Sequence, residues 1–436
     1  MKTNDSPKLA PLVVALLMLA FSVMDYFNRT IMSISGPDII KEFSLSETQM
    51  GSIYSAFILS YALLMIPGGH LADRFGPRIV IAFMGLGSAL FTGLTAAAGR
   101  PGLGTWIGIV PSFLLVRLAM GACTAPLYPS CARMNANWFP LSQRARVWGL
   151  IAAGAGIGGA VSPLLFAAMI NRFGWRISFE VSAGVTALLA LGWLRKVRDR
   201  PTDSPDPLIQ ESTELAAQSM NPAKPWWKER NLVLLTAGYF TVGYFEYIFF
   251  FWIYYYFGEI RKMGRNETAI YTTILFLMWT VMTPLGGYVS DRLVERYGHK
   301  IGRRIVPIVC LTVSAFLLCV GVNMTHPSSV AACLSLALGF ASASDGPFWA
   351  TAIDLGRKNV GASSAIMNTG GNVGGFLAPI VTPLIAGYAG WSWGLYFGSG
   401  VVLIGVVAWF LIDPAEARPV ETHRLTDVHS AEVSPH

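Results

Sequence analysis

The sequence predicts an all-α membrane protein of about twelve transmembrane helices, arranged as two pseudo-symmetric six-helix bundles. Three observations predict it. Hydrophobic residues fill 53% of the 436 positions and charged residues 13%, with a mean hydropathy of +0.50; a soluble chain carries roughly 25% charge. Apolar runs of about 20 residues, the length that crosses a hydrocarbon core, recur along the chain. A sequence pattern also returns at a displacement of half the chain.

The apolar runs lie near Leu9–Ile34, Met50–Leu71, Ile79–Ala98, Trp106–Pro129, Val147–Ile170 and Ile177–Leu194 in the first half. In the second half they lie near Leu232–Phe257, Thr268–Val289, Ile305–Val322, Val330–Ile353, Ala362–Ala386 and Trp393–Ile412. The first run is too long for a signal peptide and has no small-residue cleavage site, so it is expected to remain as an anchor. The polar segment around Pro201, Pro205, Pro207, Pro222 and Pro225 divides the runs into two sets of six. The expected division is residues 1–195 for one bundle, 196–230 for a cytoplasmic linker, 231–414 for the other bundle and 415–436 for a cytoplasmic tail.

Orientation follows from the loops. Lys and Arg gather after the second span (Arg74, Arg78), the fourth (Arg144, Arg146), the sixth (Arg195, Lys196, Arg198, Arg200) and the eighth (Arg292, Arg296, Lys300, Arg303, Arg304). That asymmetry marks the cytoplasmic side, shared by both termini, and suggests a bacterial inner membrane. Arg172 and Arg176, and Arg261, Lys262 and Arg265, run against the pattern. The net charge of +7 is thereby spread over short loops rather than gathered into a stripe, which excludes nucleic acid as a partner. The five cysteines sit in apolar runs without metal-ligand spacing and read as packing residues. No nucleotide-binding motif, nucleophile–base set or metal constellation occurs, so neither an ATP-driven pump nor an enzyme is expected, and no cofactor.

The internal repeat is in register at three places. Gly68-Gly69 with Asp73-Arg74 ends the second span, and Gly286-Gly287 with Asp291-Arg292 ends the eighth, 218 positions on. The same step carries Gly121, Thr124 and Pro129 onto Gly339, Ser342 and Pro347, and Gly158-Gly159 with Pro163 returns as Gly374-Gly375 with Pro379 after 216. Parallel repeats of this kind imply an axis along the membrane normal and a site between the halves at mid-depth.

Gly69-x-x-x-Asp73-Arg74-x-Gly76-x-Arg78 resembles the signature loop of the major facilitator superfamily, and the two-times-six arrangement agrees over the whole chain. Within it, Asp25-Tyr-Phe-Asn28-Arg29, Arg117-Leu-Ala-Met-Gly121-Ala-Cys-Thr124-Ala-Pro126, Trp138-Phe-Pro140, Gly346-Pro347-Phe348-Trp349 and Asn368-Thr-Gly-Gly-Asn372 resemble the anion:cation symporter branch. That branch includes bacterial sugar-acid carriers and the vesicular glutamate and sialic-acid carriers. The resemblance implies the major facilitator fold and a carrier for a small organic anion, a sugar acid or related carboxylate, working by alternating access. It also implies proton-coupled import, with membrane lipid as surroundings and a monomer sufficient. A proton-independent uniporter, an anion exchanger and a non-transporting membrane sensor are the alternatives.

A charge at the centre of a spanning helix costs roughly 2.5–3.5 kcal/mol on insertion scales, so each one needs a reason. Asp25 and Arg29 are four residues apart, on one helical face with Asn28 beside them; they read either as a polar patch on a central cavity or as an internal ion pair. Arg117 has no acid within four residues and needs an anion, from another helix or from the cargo. The resemblance implies that Arg29 and Arg117 serve the anion. Many bacterial members of the branch carry Asp in place of Asn28 and Glu in place of Thr124 as proton carriers, and neither Asn nor Thr titrates; Asn28 and Thr124 are expected among the residues that bind the cargo. The remaining proton-coupling candidates are Asp25, Glu246 and Asp345. Glu246 sits among aromatic residues, where burial disfavours the charged form of its carboxyl. Asp345 lies beside Gly346 and Pro347, where an irregular backbone could line a cavity. Asn368 and Asn372, with Ser364, make a polar stripe open either to cargo or to interhelical hydrogen bonding. Tyr61 reads as a cargo contact or as packing, and Asp73, Arg74, Asp291 and Arg292 as gating and helix-end ion pairs.

Overall fold

The computed structural model describes residues 9–98, 107–201, 229–356 and 360–414. Residues 202–228 of the expected linker, with Pro205, Pro207, Pro222 and Pro225, and the expected tail at 415–436 lie outside the described residues. Among them the chain is helical throughout, with no strand: α1 (Leu9–Ile34), α2 (Gly36–Phe43), α3 (Glu47–Phe75), α4 (Pro77–Ala97), α5 (Ile109–Thr124), α6 (Leu127–Trp138) and α7 (Leu141–Lys196) form the first half. The second half holds α8 (Arg230–Tyr255), which ends in a π-turn over Tyr256–Ile260, then α9 (Arg265–Tyr297), α10 (His299–Asn323), α11 (Pro327–Ala343), α12 (Asp345–Gly356), α13 (Val360–Ala389) and α14 (Trp391–Leu411).

Eleven of the described helical segments are long and apolar enough to cross a membrane, and one of them, Arg146–Lys196, is 51 residues long. At 1.5 Å per residue it would extend about 76 Å, more than twice a hydrocarbon core. It is two crossings. Gly174 adopts φ +83°, ψ 163° inside α7 and turns the chain back, a conformation that favours glycine. Its repeat mate Gly390, at φ +93°, separates α13 from α14 in the same way. Twelve crossings result. The fourth and tenth are each broken in two, α5 from α6 after Thr124 and α11 from α12 after Ala343, again at equivalent places in the repeat.

The most extensive contacts between the halves join three helix pairs: α1 with α8, α3 with α13, and the first segment of α7 with α9. The second and third pairs exchange under the internal repeat, and the first maps onto itself, which is the signature of a pseudo-two-fold axis between the bundles. Small residues bring these helices close. Within the first half, Gly154 and Gly158 pack on the carbonyls of Leu19 and Val23; within the second, Gly370 and Gly374 pack on those of Thr236 and Phe240.

At the end away from the chain termini the halves are tied together. Tyr54 stacks on Phe251 at 4.9 Å, Ser55 donates to the Phe376 carbonyl at 2.6 Å, and Glu47 accepts from Tyr255 Oη at 2.6 Å and Trp391 Nε1 at 3.2 Å. Arg265 reaches Asp38 across the same seam at 2.7 Å, and Arg176 binds Glu42 at 2.6 Å within the first half. Two of the arginines that ran against the loop-charge pattern are therefore held by acids, and Arg261 is held by the carbonyls of Val322 and Met324. At the opposite, basic end ion pairs among the described residues stay within one half: Asp73 with Arg133 (3.7 Å), Asp291 with Arg303 (2.6 Å), and Lys300 with Asp413 (2.8 Å).

Candidate functional site

A cavity of about 280 Å³ lies between the halves. The first half contributes Tyr26, Arg29 and Thr30 from α1, Tyr61 from α3 and Tyr128 from α6. The positions 26, 29 and 30 share one helical face, so a single turn of α1 supplies a phenol, a guanidinium and a hydroxyl. The second half contributes Glu246 and Tyr247 from α8 and Trp279 from α9. Asp345 and Trp349 of α12 and Asn368 and Asn372 of α13 complete that wall.

Arg29 is held in place from behind and from the side. Its Nη2 is 2.9 Å from Asp25 Oδ2, and the Asp25 side chain is 1% exposed. Its guanidinium lies 4.4 Å from the Tyr61 ring centroid and 5.1 Å from that of Phe57, geometries in which the ring quadrupole attracts the cation. Arg29 Nε has no hydrogen-bond partner, so the group retains donor capacity for an anion.

Arg117 also lies against Phe57, 4.9 Å from the ring centroid. It is fully buried, donates only to the Met120 sulfur at 3.2 Å, and its Nε and Nη2 are unpartnered. Among the described residues no carboxylate lies within ion-pair distance of it. Arg117 is not among the residues that line the cavity; it shares Phe57 as a neighbour with Arg29.

Asn28 and Thr124 also stand behind the wall. The Asn28 amide donates to Ser88 at 3.2 Å and Thr186 at 3.1 Å and accepts from Ser182 at 2.8 Å, tying α1 to α4 and to the second segment of α7. Thr124 bonds the carbonyls of Met120 and Gly121 in its own helix. The structure therefore brings Arg29, Tyr61, Glu246, Asp345, Asn368 and Asn372 together around one space. It leaves Asp25, Asn28, Arg117 and Thr124 in the interior of the first bundle. Asp73, Arg74, Asp291 and Arg292 lie far from the cavity at the basic end, Arg292 beside Glu295 at 3.2 Å.

The two cavity carboxylates are near enough to feel one another's charge. Glu246 is 8% exposed, and its Oε1 and Asp345 Oδ1 have no hydrogen-bond partner. The Trp279 indole sits beside Glu246 and the Tyr239 phenol beside Asp345.

Tyr26, Trp279 and Trp349 were not singled out by the sequence reading. Tyr26 was within reach of it, because its spacing from Arg29 and Thr30 places it on the same face. Trp279 was within reach through the repeat, 218 positions after Tyr61. The repeat in fact runs through the cavity. The carbonyls of Leu19 and Val23 answer those of Thr236 and Phe240, 217 positions on, and the same step carries Tyr26, Arg29 and Thr30 onto Gly243, Glu246 and Tyr247, all of which line the cavity. Arg29 against Tyr61 thus faces its own mate, Glu246 against Trp279, with the charge reversed.

Comparison with known proteins agrees with this architecture. The family model described as Major Facilitator Superfamily matches residues 17–355 and 293–432. The chain is 26% identical over 421 residues to a hexuronate transporter of Bacillus subtilis (strain 168), covering 94% of this chain and 97% of that one. It is 28% identical over 403 residues to a probable sulfoacetate transporter of Cupriavidus necator, covering 89% and 90%. Among solved structures, a bacterial homologue of the human lysosomal transporter Spinster in an inward-facing conformation superposes with a TM-score of 0.78 at 17% identity, over 94% of this chain and 97% of that one.

Proposed function

This chain belongs to the major facilitator superfamily, and we propose that within it the protein imports a small organic anion, a sugar acid or related carboxylate, together with protons. It is a transport protein rather than an enzyme. The observation that carries the proposal is Arg29 in the cavity between the halves, a guanidinium with free donor capacity stacked on Tyr61. Guanidinium binds carboxylates in a forked geometry and keeps its charge at any working pH. Two relatives named as carriers of a hexuronate and of sulfoacetate support the same class of cargo.

The cargo carboxylate docks on Arg29, with Tyr61, Asn368 and Asn372 as hydrogen-bonding neighbours. The coupled proton rides on the Glu246–Asp345 pair, the acids that face the cavity; Asp25, the third candidate, is spoken for by Arg29. Arg117 acts through Phe57, reaching the cargo or the coupling step in another stage of the cycle. The halves then rock about the axis between them, opening the cavity to one side at a time. The basic end is the cytoplasmic one, by loop charge, so the protein as described is sealed outside and set to release inward. Asp73, Arg74, Asp291 and Arg292 engage across the basic end when the carrier opens outward. A monomer in the inner membrane of a bacterium suffices.

Uptake of labelled sugar acids into proteoliposomes, with and without an inward proton gradient, tests this. Accumulation above the outside concentration is expected only with the gradient, and Glu246→Gln or Asp345→Asn should abolish that dependence. A second reading, a facilitator or exchanger, is favoured by Asn28, which cannot titrate and whose amide is held by three hydroxyls. Equilibration indifferent to the gradient would establish it.

A further inference from the structure

The charges around the cavity do not suit a plain anion. Arg29 is matched by Asp25 directly behind it. On the facing wall Glu246 and Asp345 add two more negative groups, and no other Lys or Arg is among the residues that line the space. One coupled proton removes one of these charges. The other remains on the cavity wall, and a carboxylate taken out of water without a counter-charge is costly.

The surroundings of that second charge are those of a cation subsite. Glu246 and Asp345 both line the cavity, and Glu246 Oε1 and Asp345 Oδ1 have no hydrogen-bond partner. The rings of Tyr239, Tyr247, Trp279 and Trp349 line the same wall, and aromatic faces attract ammonium groups as well. The internal repeat sets this wall opposite Arg29, at the symmetry-related position and with the opposite sign. A cavity with a positive and a negative pole at equivalent points fits a molecule that has both.

We propose that the cargo is an amino-carboxylate, a zwitterion whose carboxylate meets Arg29 and whose ammonium meets Glu246 and Asp345. This deepens the anion-carrier reading above and rests on it. A hydroxy acid of the same shape satisfies only the Arg29 end.

The test uses the purified full-length protein and matched pairs of ligands that differ only by an ammonium in place of a hydroxyl: alanine and lactate, glutamate and 2-hydroxyglutarate, glucosaminate and gluconate. Ligand-induced thermal stabilisation and counterflow in proteoliposomes report binding and transport. In at least one pair the amino member is expected to act at about tenfold lower concentration, the scale of one charge-assisted contact, and Glu246→Gln should bring the two members level. A hydroxy member equal or better in every pair, or no response to any amino member, overturns the proposal on the wild-type protein alone, whether or not the variant folds. Gluconate uptake in that case would still uphold the anion carrier. Glucosamine, which has the ammonium without the carboxylate, separates the other failure: binding as tight as glucosaminate would mean that the carboxylate contributes nothing, and would overturn both readings.

Discussion

Arg117 carries a charge into the interior of the first bundle with no carboxylate beside it among the described residues, held only by a sulfur and the face of Phe57. A buried charge without a partner destabilises a fold, and an apolar side chain of similar volume relieves it by about 1 kcal/mol or more. Arg117→Met is therefore expected to raise the unfolding temperature in detergent while abolishing gradient-driven uptake; a variant that loses stability instead would show that the guanidinium has a structural partner. The cost of an intramembrane charge is what made Arg29, Arg117, Glu246 and Asp345 legible in the sequence. Their directions were not. Asp25, Asn28 and Arg29 lie within one turn, yet only Arg29 reaches the cavity, because Ser88, Ser182 and Thr186 on two other helices capture Asn28. The amide donates to two of these hydroxyls and accepts from the third, a pattern that an ionised carboxylate, which only accepts, does not reproduce. No single-sequence pattern announces such long-range hydroxyl partners.

Helix α2 and the turn of α7 form the rim of the sealed end, and their link is titratable. The hydrogen bond from Arg176 to Glu42, with help from the Trp175 indole, holds the Glu42 carboxyl below its ordinary value. The link is fully made above the ordinary glutamate range and is lost as the pH falls through the lowered value. Melting temperature should thus decline on acidification below about pH 4.5, modestly because the pair is part-exposed, and Glu42→Gln should remove that component; an unchanged profile in the variant would exclude the link as its source. Where α3 passes α13, Gly51 lies against the Pro379 carbonyl, with no room for a methyl group. Gly51→Ala should push the two helices apart at a cost of about 1–3 kcal/mol, read as a lower unfolding temperature and a longer distance between spin labels at Lys41→Cys and Tyr388→Cys. The helices themselves were plain from hydropathy, α1 to the residue at both ends. The breaks at Gly174 and after Thr124 and Ala343 were not all plain, since apolar composition does not report backbone direction.

At the scale of the two halves, Glu47 is the one acid among the described residues that gathers two donors from the other half, Tyr255 and Trp391. Hydrogen bonds to a charged group are worth about 1.5–3 kcal/mol each, enough to move a two-state equilibrium tenfold or more. Glu47→Ala is expected to shift the population toward the state open at this end, measured by the same pair of spin labels, with uptake slowed because release toward the basic end becomes rarer. Unchanged distances would remove Glu47 from the seal. The two-fold plan was legible because its glycine, aspartate and proline landmarks recur in register; the sealed state was not, because the seam is made of residues far apart in the chain. The reversal of charge between Arg29 and Glu246 has a last consequence. Two unlike poles and the Asn368–Asn372 stripe on a third helix fix a ligand at three points that differ in kind. A site of that description has a handedness, and it tells a molecule from its mirror image.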